Sequence, residues 1–291
     1  MPVTINPMPM YADYRCFYCF AESFRKLIEK ENLPIEQRNA FTREMAALYS
    51  SLGDQLSTTD FSRTLHHLLR SYTSNLDPYK EAKKWSNDLV LSMYPSLRER
   101  VLLSQNPFNT ALRLSIAGNV LDYAIGDTFD LDGNIEKVLS THFAIDDGQA
   151  LKLAISKAET VLYLGDNAGE IVFDKLFIET IMHPNLYYAV RGAPVINDVT
   201  LDDAQYVGIQ EVADVISNGY DAPTTDLNHV SPDFLHMFNK ADVIISKGQG
   251  NLEGLLGKTD KPVFFLLMVK CDKIAQELGV KRGSFVVKRN R

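Results

Sequence analysis

A series of short apolar runs begins near residue 160 and limits the folds that this chain can adopt. The runs span 161–164, 186–190, 212–217, 243–246 and 263–268, and each ends in glycine or polar residues. Helical patterns lie between most of them, at 168–182, 201–205, 232–240 and 252–259. Nearly all-apolar strands that alternate with helices are typical of a parallel sheet covered on both faces. The sequence therefore predicts a Rossmann-like α/β fold with a mostly parallel sheet, to which 284–288 could add an edge strand.

The first half of the chain has a different pattern. Apolar residues recur at three- and four-residue spacing in 21–30, 35–52, 59–71, 79–94, 96–104, 107–125 and 135–139, as in amphipathic helices. Asp77-Pro78 favours a helix start, because proline fits the first helical position. The sequence predicts an all-helical domain at 1–150 and an α/β domain at 151–291. A boundary anywhere between 145 and 160 fits, and the helical pattern at 147–158 suits either side.

Composition and charge argue against several classes of protein. The 291 residues carry a formal net charge of −7 at pH 7, whereas a general nucleic-acid binder needs basic surface to displace counterions. The longest apolar run, 262–269, is far shorter than the roughly 18 residues of a membrane span. The N-terminal stretch shows no signal-peptide pattern. We therefore expect a cytoplasmic protein that contacts neither nucleic acid nor membrane, and the sequence leaves its oligomeric state open.

Polar side chains follow consecutive predicted strands, at the edge of the sheet where open parallel folds bind ligands. They are Asp166 and Asn167 after the first strand, Arg191 and Asp198 after the second, Asn218 after the third, and Lys247 with Gly248, Gln249, Gly250 and Asn251 after the fourth. Lys270 and Cys271 follow the last run. A single acid at a strand end is an ordinary turn residue. Four such ends in succession indicate a site.

These residue types suit a metal ion and an anion in one cleft. Asp166, Asn167 and Asp198 offer hard oxygen ligands to a divalent ion. Lys247 can neutralise a phosphoryl group, and segment 248–251 brings backbone N–H groups to a helix start, which favours negative charge. Such a layout is typical of phosphoryl transfer. It is not a P-loop, because this lysine precedes its glycines.

Other residues near these strand ends have expected roles as well. We expect Arg191 to bind phosphate or a pair of substrate hydroxyls, and Gly248, Gln249 and Asn251 to bind the substrate too. Glu170 and Asp174 lie in the helix that follows Asp166, where the helix dipole alone favours carboxylates. Glu170 could support the metal indirectly, whereas Asp174 is expected to be structural.

Three sequence segments that contain these strand-end residues resemble a known family. GDNAGEIVFD (165–174), RGAPVINDVT (191–200) and SKGQGNLEG (246–254) are similar to signature segments of domain of unknown function family 89, the damage-control phosphatases with an ARMT-like fold. DPYKEAKK (77–84), ALRLSIAGNVLDYAIG (111–126) and the N-terminal CxxC resemble segments of its stand-alone prokaryotic members. The resemblance covers nearly the whole chain.

The resemblance implies a metal-dependent phosphatase that acts on small phosphorylated metabolites, such as sugar phosphates and damaged or side-product phosphates. It implies Mn²⁺, Co²⁺, Ni²⁺ or Mg²⁺ as the cofactor, bound by Asp166, Asn167 and Asp198. The family's polar pair on the helical domain corresponds to Asn119 and Asp122 and would contact the substrate. From the residues alone, that pair would be a buried helix-capping pair, spaced i and i+3 on one face.

The sequence leaves the nucleophile and some alternatives open. A metal-bound water and Asp166 itself are both candidate nucleophiles; we favour water, because Asp166 is committed to the metal. One alternative is a Rossmann-like nucleotide or methyl-donor enzyme, which GDNAGE in place of GxGxxG disfavours. Another is a non-catalytic sugar-phosphate sensor that uses the same pocket.

Cys16, Cys19 and Cys271 are too few for a secreted disulfide framework. Three interpretations remain for them. They are free thiols in a reduced cytoplasm, a thiolate metal site completed by another ligand, or a redox pair in the CxxC.

Overall fold

The computed structural model describes residues 11–53, 56–118 and 131–290. In the first half these residues form six helices, which are α1 (Tyr14–Lys30), α2 (Ile35–Leu52), α3 (Thr58–Thr73), α4 (Lys80–Leu103), α5 (Pro107–Ala117) and α6 (Leu131–Ser140). Short polar side chains cap several starts: Asp13 accepts from the backbone N–H of Arg15, and Ser57 from that of Asp60. Such caps satisfy amides that have no partner inside the helix.

Several helices in this half differ from their predictions. Helix α1 begins at Tyr14 rather than 21, so it includes Cys16 and Cys19, and α6 spans Leu131–Ser140 rather than 135–139.

The largest difference concerns α4. The segments 79–94 and 96–104 were expected as two helices separated by Pro95, but α4 runs through the proline without a break. A proline inside a helix removes one hydrogen bond and crowds the carbonyl of the preceding turn, which costs about 3 kcal/mol. The buried side chains of Val90, Leu97 and Val101, on both sides of Pro95, keep the two parts packed on the same core.

The second half contains a seven-stranded sheet with helices between the strands. The elements are β1 (Ile145–Asp146), α7 (Gly148–Ile155), β2 (Val161–Leu164), α8 (Glu170–Ile181), β3 (Leu186–Val190), α9 (Leu201–Val207), β4 (Asp214–Ser217), α10 (Pro232–Lys240), β5 (Val243–Lys247), α11 (Gly248–Leu255), β6 (Val263–Met268), α12 (Asp272–Leu278) and β7 (Phe285–Arg289). The strand order is β1-β7-β6-β5-β2-β3-β4. All neighbouring pairs are parallel except β6 and β7. The predicted α/β fold with a mostly parallel sheet is confirmed.

Details at the sheet's edge differ from the sequence prediction. The last strand, β7, was expected at the edge, but the two-residue strand β1 pairs with its outer side. Neither β1 nor the seven-residue helix α12 was predicted. Elements this short show too few residues for a periodic pattern. The third predicted strand starts at Asp214 rather than 212, because a 3₁₀ turn at Ile209–Glu211 precedes it.

The sheet separates two apolar layers, and successive side chains of β2 point to opposite ones. Val161 and Tyr163 belong to a layer shared with α4 to α8, whereas Leu162 and Leu164 pack in a layer with α10 and α11. Helices α1 to α3 form a third core of their own. Among the helices that the structure describes in the first half, α4 to α6 share a core with the sheet, whereas α1 to α3 have a separate core. The division at residue 150 stays a prediction.

The chain order creates a crevice between β2 and β5. From β2 the chain continues to β3 and β4 on one side, and β5 and β6 lie on the other. In open α/β sheets, ligands bind outside the carboxyl ends of the strands at such a reversal. The residues after Leu164 and around Lys247 therefore lie where a ligand is expected to bind. Among the helices that the structure describes, none is both long and apolar enough to cross a membrane.

Candidate active site

The loop after β2 and the segment after β3 are joined by backbone pairing. Asn167 and Asp198 form an isolated antiparallel bridge, and the backbone N–H of Val199 donates to the carbonyl of Asp166 at 2.8 Å. Asp166, Asn167 and Asp198 are 7%, 4% and 3% exposed. The three predicted metal ligands therefore lie together at the crevice, although they are up to 32 positions apart in the chain.

Arg191 at the end of β3 connects the two aspartates. Its Nε donates to Asp198 Oδ2 at 2.6 Å, and its Nη2 lies 3.5 Å from Asp166 Oδ1. Its Nη1 donates to Asn251 Oδ1 at 2.9 Å. The guanidinium is almost fully buried. In the structure Arg191 contacts Asp166 and Asp198, and its predicted contact with the substrate stays a prediction.

Negative charge accumulates around Asp166. Burial raises the pKa of Asp166 well above its usual range, and the nearby charges of Asp198 and Glu170 raise it further. The positive charge of Arg191 acts in the opposite direction but does not outweigh them. A site with this imbalance favours a bound cation.

Gly248 makes the close approach of α11 to Asp166 possible. Its φ is +77°, and a Cβ at this position would overlap the Asp166 carboxylate. The segment 248–251 was predicted as a loop ahead of a helix, but α11 begins at Gly248 itself. The amides of 248–251 are therefore the first four of a helix, which have no partner within it.

Lys247 lies in a buried ion-pair network. Its Nζ is 2.6 Å from Glu170 Oε1, 2.6 Å from Asp174 Oδ1 and 2.6 Å from the carbonyl oxygen of Ser115. Burial lowers the pKa of Lys247, but the two carboxylates raise it by more, so the net direction is upward. The ammonium thus uses its three donors within the protein. Its predicted contact with phosphate stays a prediction.

Asp174 has more partners than the sequence suggested. Besides Lys247, it accepts hydrogen bonds from Tyr163 at 2.6 Å and Tyr188 at 3.0 Å. Burial, together with the charge of Asp174, raises the pKa of both tyrosines well above the usual value, so they remain donors. The expected structural role of Asp174 agrees with this network, which anchors Lys247 on the core.

Asn251 ties the strand ends together. Its Nδ2 donates to the carbonyls of Lys247 at 2.8 Å and Gly165 at 3.3 Å, and its Oδ1 accepts from Arg191 and Thr225, both at 2.9 Å. The side chain is completely buried. It was predicted to bind the substrate, and the structure places it behind Arg191.

A cavity of about 190 Å³, called the cleft below, opens in front of the aspartates. One wall contains Asp166, Asn167 and Asp198. The opposite wall comes from α1 and α3 and contains Phe20, Thr58, Thr59 and Ser62. Gln249 and Glu253 of α11 and Lys270 after β6 also line it. Of the predicted substrate contacts, Gln249 lies in the cleft, and Asn119 and Asp122 lie outside the described residues.

Comparison with known proteins identifies the family. The model of the damage-control phosphatase ARMT1-like domain matches residues 12–286. The chain belongs to this family. A damage-control phosphatase of Pyrococcus horikoshii is 34% identical over 287 residues, which cover 97% of this chain and 99% of the relative. Another, from Archaeoglobus fulgidus, is 33% identical over 219 residues, 73% of this chain and 75% of the relative.

A solved structure agrees with the assignment. The crystal structure of a DUF89 family protein from Pyrococcus horikoshii superposes with a TM-score of 0.88 at 32% identity, covering 96% of this chain and 99% of that one. The family resemblance inferred from the strand-end segments is confirmed. Membership in a phosphatase family supports a phosphatase role and gives no support to a nucleotide or methyl-donor enzyme.

Several residues of the cleft in this damage-control phosphatase homologue were not predicted. Lys270 was noticed after the fifth apolar run but was given no role in the site, although it follows β6 at the same edge of the sheet and lines the cleft. Glu253 and the α3 residues do not follow a predicted strand, so the strand-end argument could not find them. Thr58, Thr59 and Ser62 reach the cleft only through packing between distant parts of the chain, which local sequence patterns do not reveal.

The three cysteines are free thiols in the structure. Cys271 lies beside the cleft, where the Gln249 side chain donates to its Sγ at 3.5 Å. Burial raises the pKa of Cys16 and Cys19, which reduces their thiolate fraction. Within the ranges that the structure describes, no three His, Cys, Asp or Glu side chains are grouped so that they could hold a metal ion. The thiolate-metal and redox interpretations stay predictions without structural support.

Proposed function

We propose that this chain is a metal-dependent phosphatase that hydrolyses phosphate monoesters of small metabolites. The observation that carries the proposal is the meeting of two buried aspartates and an asparagine at the sheet's crevice, in a chain of a phosphatase family. Sugar phosphates and damaged or side-product phosphates are the proposed substrates. Two relatives that are named damage-control phosphatases support the reaction class.

The residues at the crevice fit a hard divalent cation. Asn167 Nδ2 donates to Asp166 Oδ2 at 2.8 Å and to Glu170 Oε2 at 3.3 Å, so its amide oxygen is the atom that would bind the ion. Two carboxylates and one amide would hold Mn²⁺, Co²⁺, Ni²⁺ or Mg²⁺, with oxygens of water or substrate as further ligands. When bound, such an ion supplies Lewis-acid stabilisation of charge on the phosphoryl oxygens.

The chain's own groups would hold and orient the phosphoryl group. The first-turn amides of α11 lie at the positive end of the helix, next to Asp166. Lys270 lines the same cleft and adds a positive charge. Arg191 keeps Asp166 and Asp198 in place. In this account Lys270 is the lysine that contacts the phosphate, and Lys247 positions Glu170 and α8 from behind.

We propose water as the nucleophile. Asp166 already contacts Asn167 and Arg191, and Gly248 packs against its carboxylate. An attack by Asp166 would have to release these contacts. Acid-quenched turnover of a phosphate-labelled substrate tests this: no stable label is expected on the protein, and a hydroxylamine-sensitive label on Asp166 would contradict the proposal.

The function itself is tested by a phosphatase screen. The metal-stripped chain is assayed against sugar phosphates, nucleotides and phosphopantetheine derivatives, with each of the four ions added separately. Metal-dependent release of inorganic phosphate is the expected result. Binding of these esters without turnover would instead favour a sensor that uses the same cleft.

A further inference from the structure

We propose that Glu253 and the hydroxyl groups of α3 determine which phosphate esters the cleft accepts. In this view Glu253 accepts hydrogen bonds from hydroxyls on the alcohol part of the ester and rejects esters whose alcohol part carries a second negative charge. The inference rests on the proposed function and concerns the selectivity of the same cleft.

The position of Glu253 directs it at the alcohol part rather than the phosphoryl group. Glu253 and Gly248 both belong to α11, and Gly248 packs directly on Asp166. Five residues separate them, and a helix rises about 1.5 Å per residue, so Glu253 lies about 7.5 Å further along the axis. A phosphoryl group held at Asp166 would therefore extend its ester carbon chain along the cleft toward Glu253.

Neighbouring groups hold the Glu253 carboxylate before any ligand arrives. Thr58 Oγ1 donates to Oε2, Gln249 Nε2 donates to Oε1 at 3.1 Å, and Lys273 Nζ lies 3.8 Å from Oε2. The side chain is 10% exposed. Each carboxylate oxygen can accept more than one hydrogen bond. A fixed carboxylate in a cleft wall can thus accept from a substrate hydroxyl without reorganising.

The wall contributed by α3 contains a hydroxyl that lacks a hydrogen-bond partner among the described residues. Ser62 lines the cleft and is 3% exposed, and its Oγ has no hydrogen-bond partner among the residues of the structure. A buried hydroxyl without a partner is unfavourable. A ligand hydroxyl in the cleft would supply one. Thr59 lies beside Ser62 in the same wall, and the Phe20 ring adds apolar surface for C–H groups.

Contacts with the α/β part keep this wall in place. Arg63 and His67 of α3 both bind Asp221 in the loop after β4, with His67 Nε2 2.6 Å from Asp221 Oδ2. Tyr220 of the same loop donates to Asp60 at 3.2 Å. The hydroxyls of α3 therefore face the aspartates across a cleft of defined width, which is a condition for selectivity.

The test compares esters that differ only in charge on the alcohol part. With the metal that gives the highest activity, kcat/KM is measured for a neutral hexose monophosphate and for the corresponding hexose bisphosphate. Wild type is expected to prefer the monophosphate. Glu253→Gln keeps the side-chain shape but removes its charge, and is expected to shift the ratio toward the bisphosphate by about tenfold.

Three further variants make the result specific. Ser62→Ala is expected to lower kcat/KM for the monophosphate roughly three- to tenfold, mainly through KM. Thr58→Val loosens the Glu253 carboxylate and is expected to shift the ratio in the same direction as Glu253→Gln. Glu277→Gln removes an equal charge from the exposed surface of α12 and should leave the ratio unchanged.

Calorimetric binding of the same two esters separates the failure of this inference from that of the proposed function. If wild type turns over neither ester, the phosphatase proposal fails. The ratio of the dissociation constants of the two esters still tests the role of Glu253. An unchanged ratio in folded Glu253→Gln and Thr58→Val would overturn the inference. A shift as large in Glu277→Gln would overturn it as well.

Discussion

Lys247 has an environment unlike that of an ordinary lysine. Its ammonium is fully buried and is shared between Glu170 and Asp174. Removing one partner of a buried ion pair leaves an uncompensated charge, and here it leaves two. Lys247→Met is expected to lower the free energy of unfolding by about 3–5 kcal/mol.

Urea denaturation at pH 7 measures this change. Lys157→Met, which alters an exposed lysine on the loop after α7, serves as the control and should leave the stability unchanged. Unaltered stability in Lys247→Met, combined with lost activity, would instead support direct contact of Lys247 with the phosphate.

His66 is a neutral histidine within the core of α1 to α3. Its ring lies 5.0 Å from that of Phe24, and burial lowers its pKa from 6.5 to about 4. Because the folded state resists protonation, the unfolded state binds the proton first as the pH falls. The contribution of His66 is fully favourable above pH 6.5 and is lost between pH 6.5 and about 4.

This shift predicts a pH dependence of stability. Between pH 7 and pH 5, protonation of His66 should remove roughly 2 kcal/mol from the free energy of unfolding. His66→Phe cannot titrate, so its loss over that interval should be smaller by this amount in urea denaturation. His142→Phe, at an exposed position, should show the wild-type loss. Equal losses in wild type and His66→Phe would refute the assignment.

Among the secondary-structure elements, α4 is joined to the start of α9 by a buried ion pair. Lys83 is 4% exposed, and its Nζ lies 2.9 Å from both Asp77 and Asp203. Asp203 also completes the capping box of α9 with Thr200. One lysine thus connects the beginning of α4, the cap of α9 and the segment that carries Asp198 into the site.

Two adjacent lysines test this connection. Lys83→Met is expected to lower the free energy of unfolding by about 3 kcal/mol, because the buried carboxylate of Asp203 and the partly buried carboxylate of Asp77 lose their counter-charge. Lys84→Met removes an exposed lysine that pairs with Asp88, and should have little effect. Chemical denaturation measures the free energy of unfolding of both variants. Similar values for Lys83→Met and Lys84→Met would contradict the proposed stabilising role of Lys83.

The sequence predicts the bounds of an element best when the element is long enough to show a pattern and is buried. The strands β2, β3 and β6 were predicted with the observed bounds, because all-apolar runs of this length between turns have few alternatives. Pro95 was misleading, since tertiary packing outweighed its local cost. The start of α11 was misplaced because glycines are ordinarily poor helix formers, whereas here Gly248 is needed beside Asp166.

At the scale of the whole molecule, the cleft joins parts that are distant in the chain. One wall was predictable, because parallel strands bring their carboxyl ends to one edge and so bring Asp166 to Asp198. The other wall was not, because the approach of α3 depends on contacts such as Arg63 with Asp221. The burial of Lys247 and Asn251 behind the cleft also depends on tertiary packing, which cannot be predicted from local sequence patterns.

We propose that the ion that activates phosphate hydrolysis is held by Asp166, Asn167 and Asp198. The most direct test is the rate of phosphate release against Mn²⁺ concentration for metal-stripped wild type, Asp166→Asn, Asp198→Asn and the surface control Glu277→Gln. Wild type and Glu277→Gln should show the same saturable metal dependence, and both aspartate variants, while folded, should lose at least about 100-fold in rate. A folded Asp166→Asn or Asp198→Asn variant with the wild-type rate and metal dependence would contradict the claim.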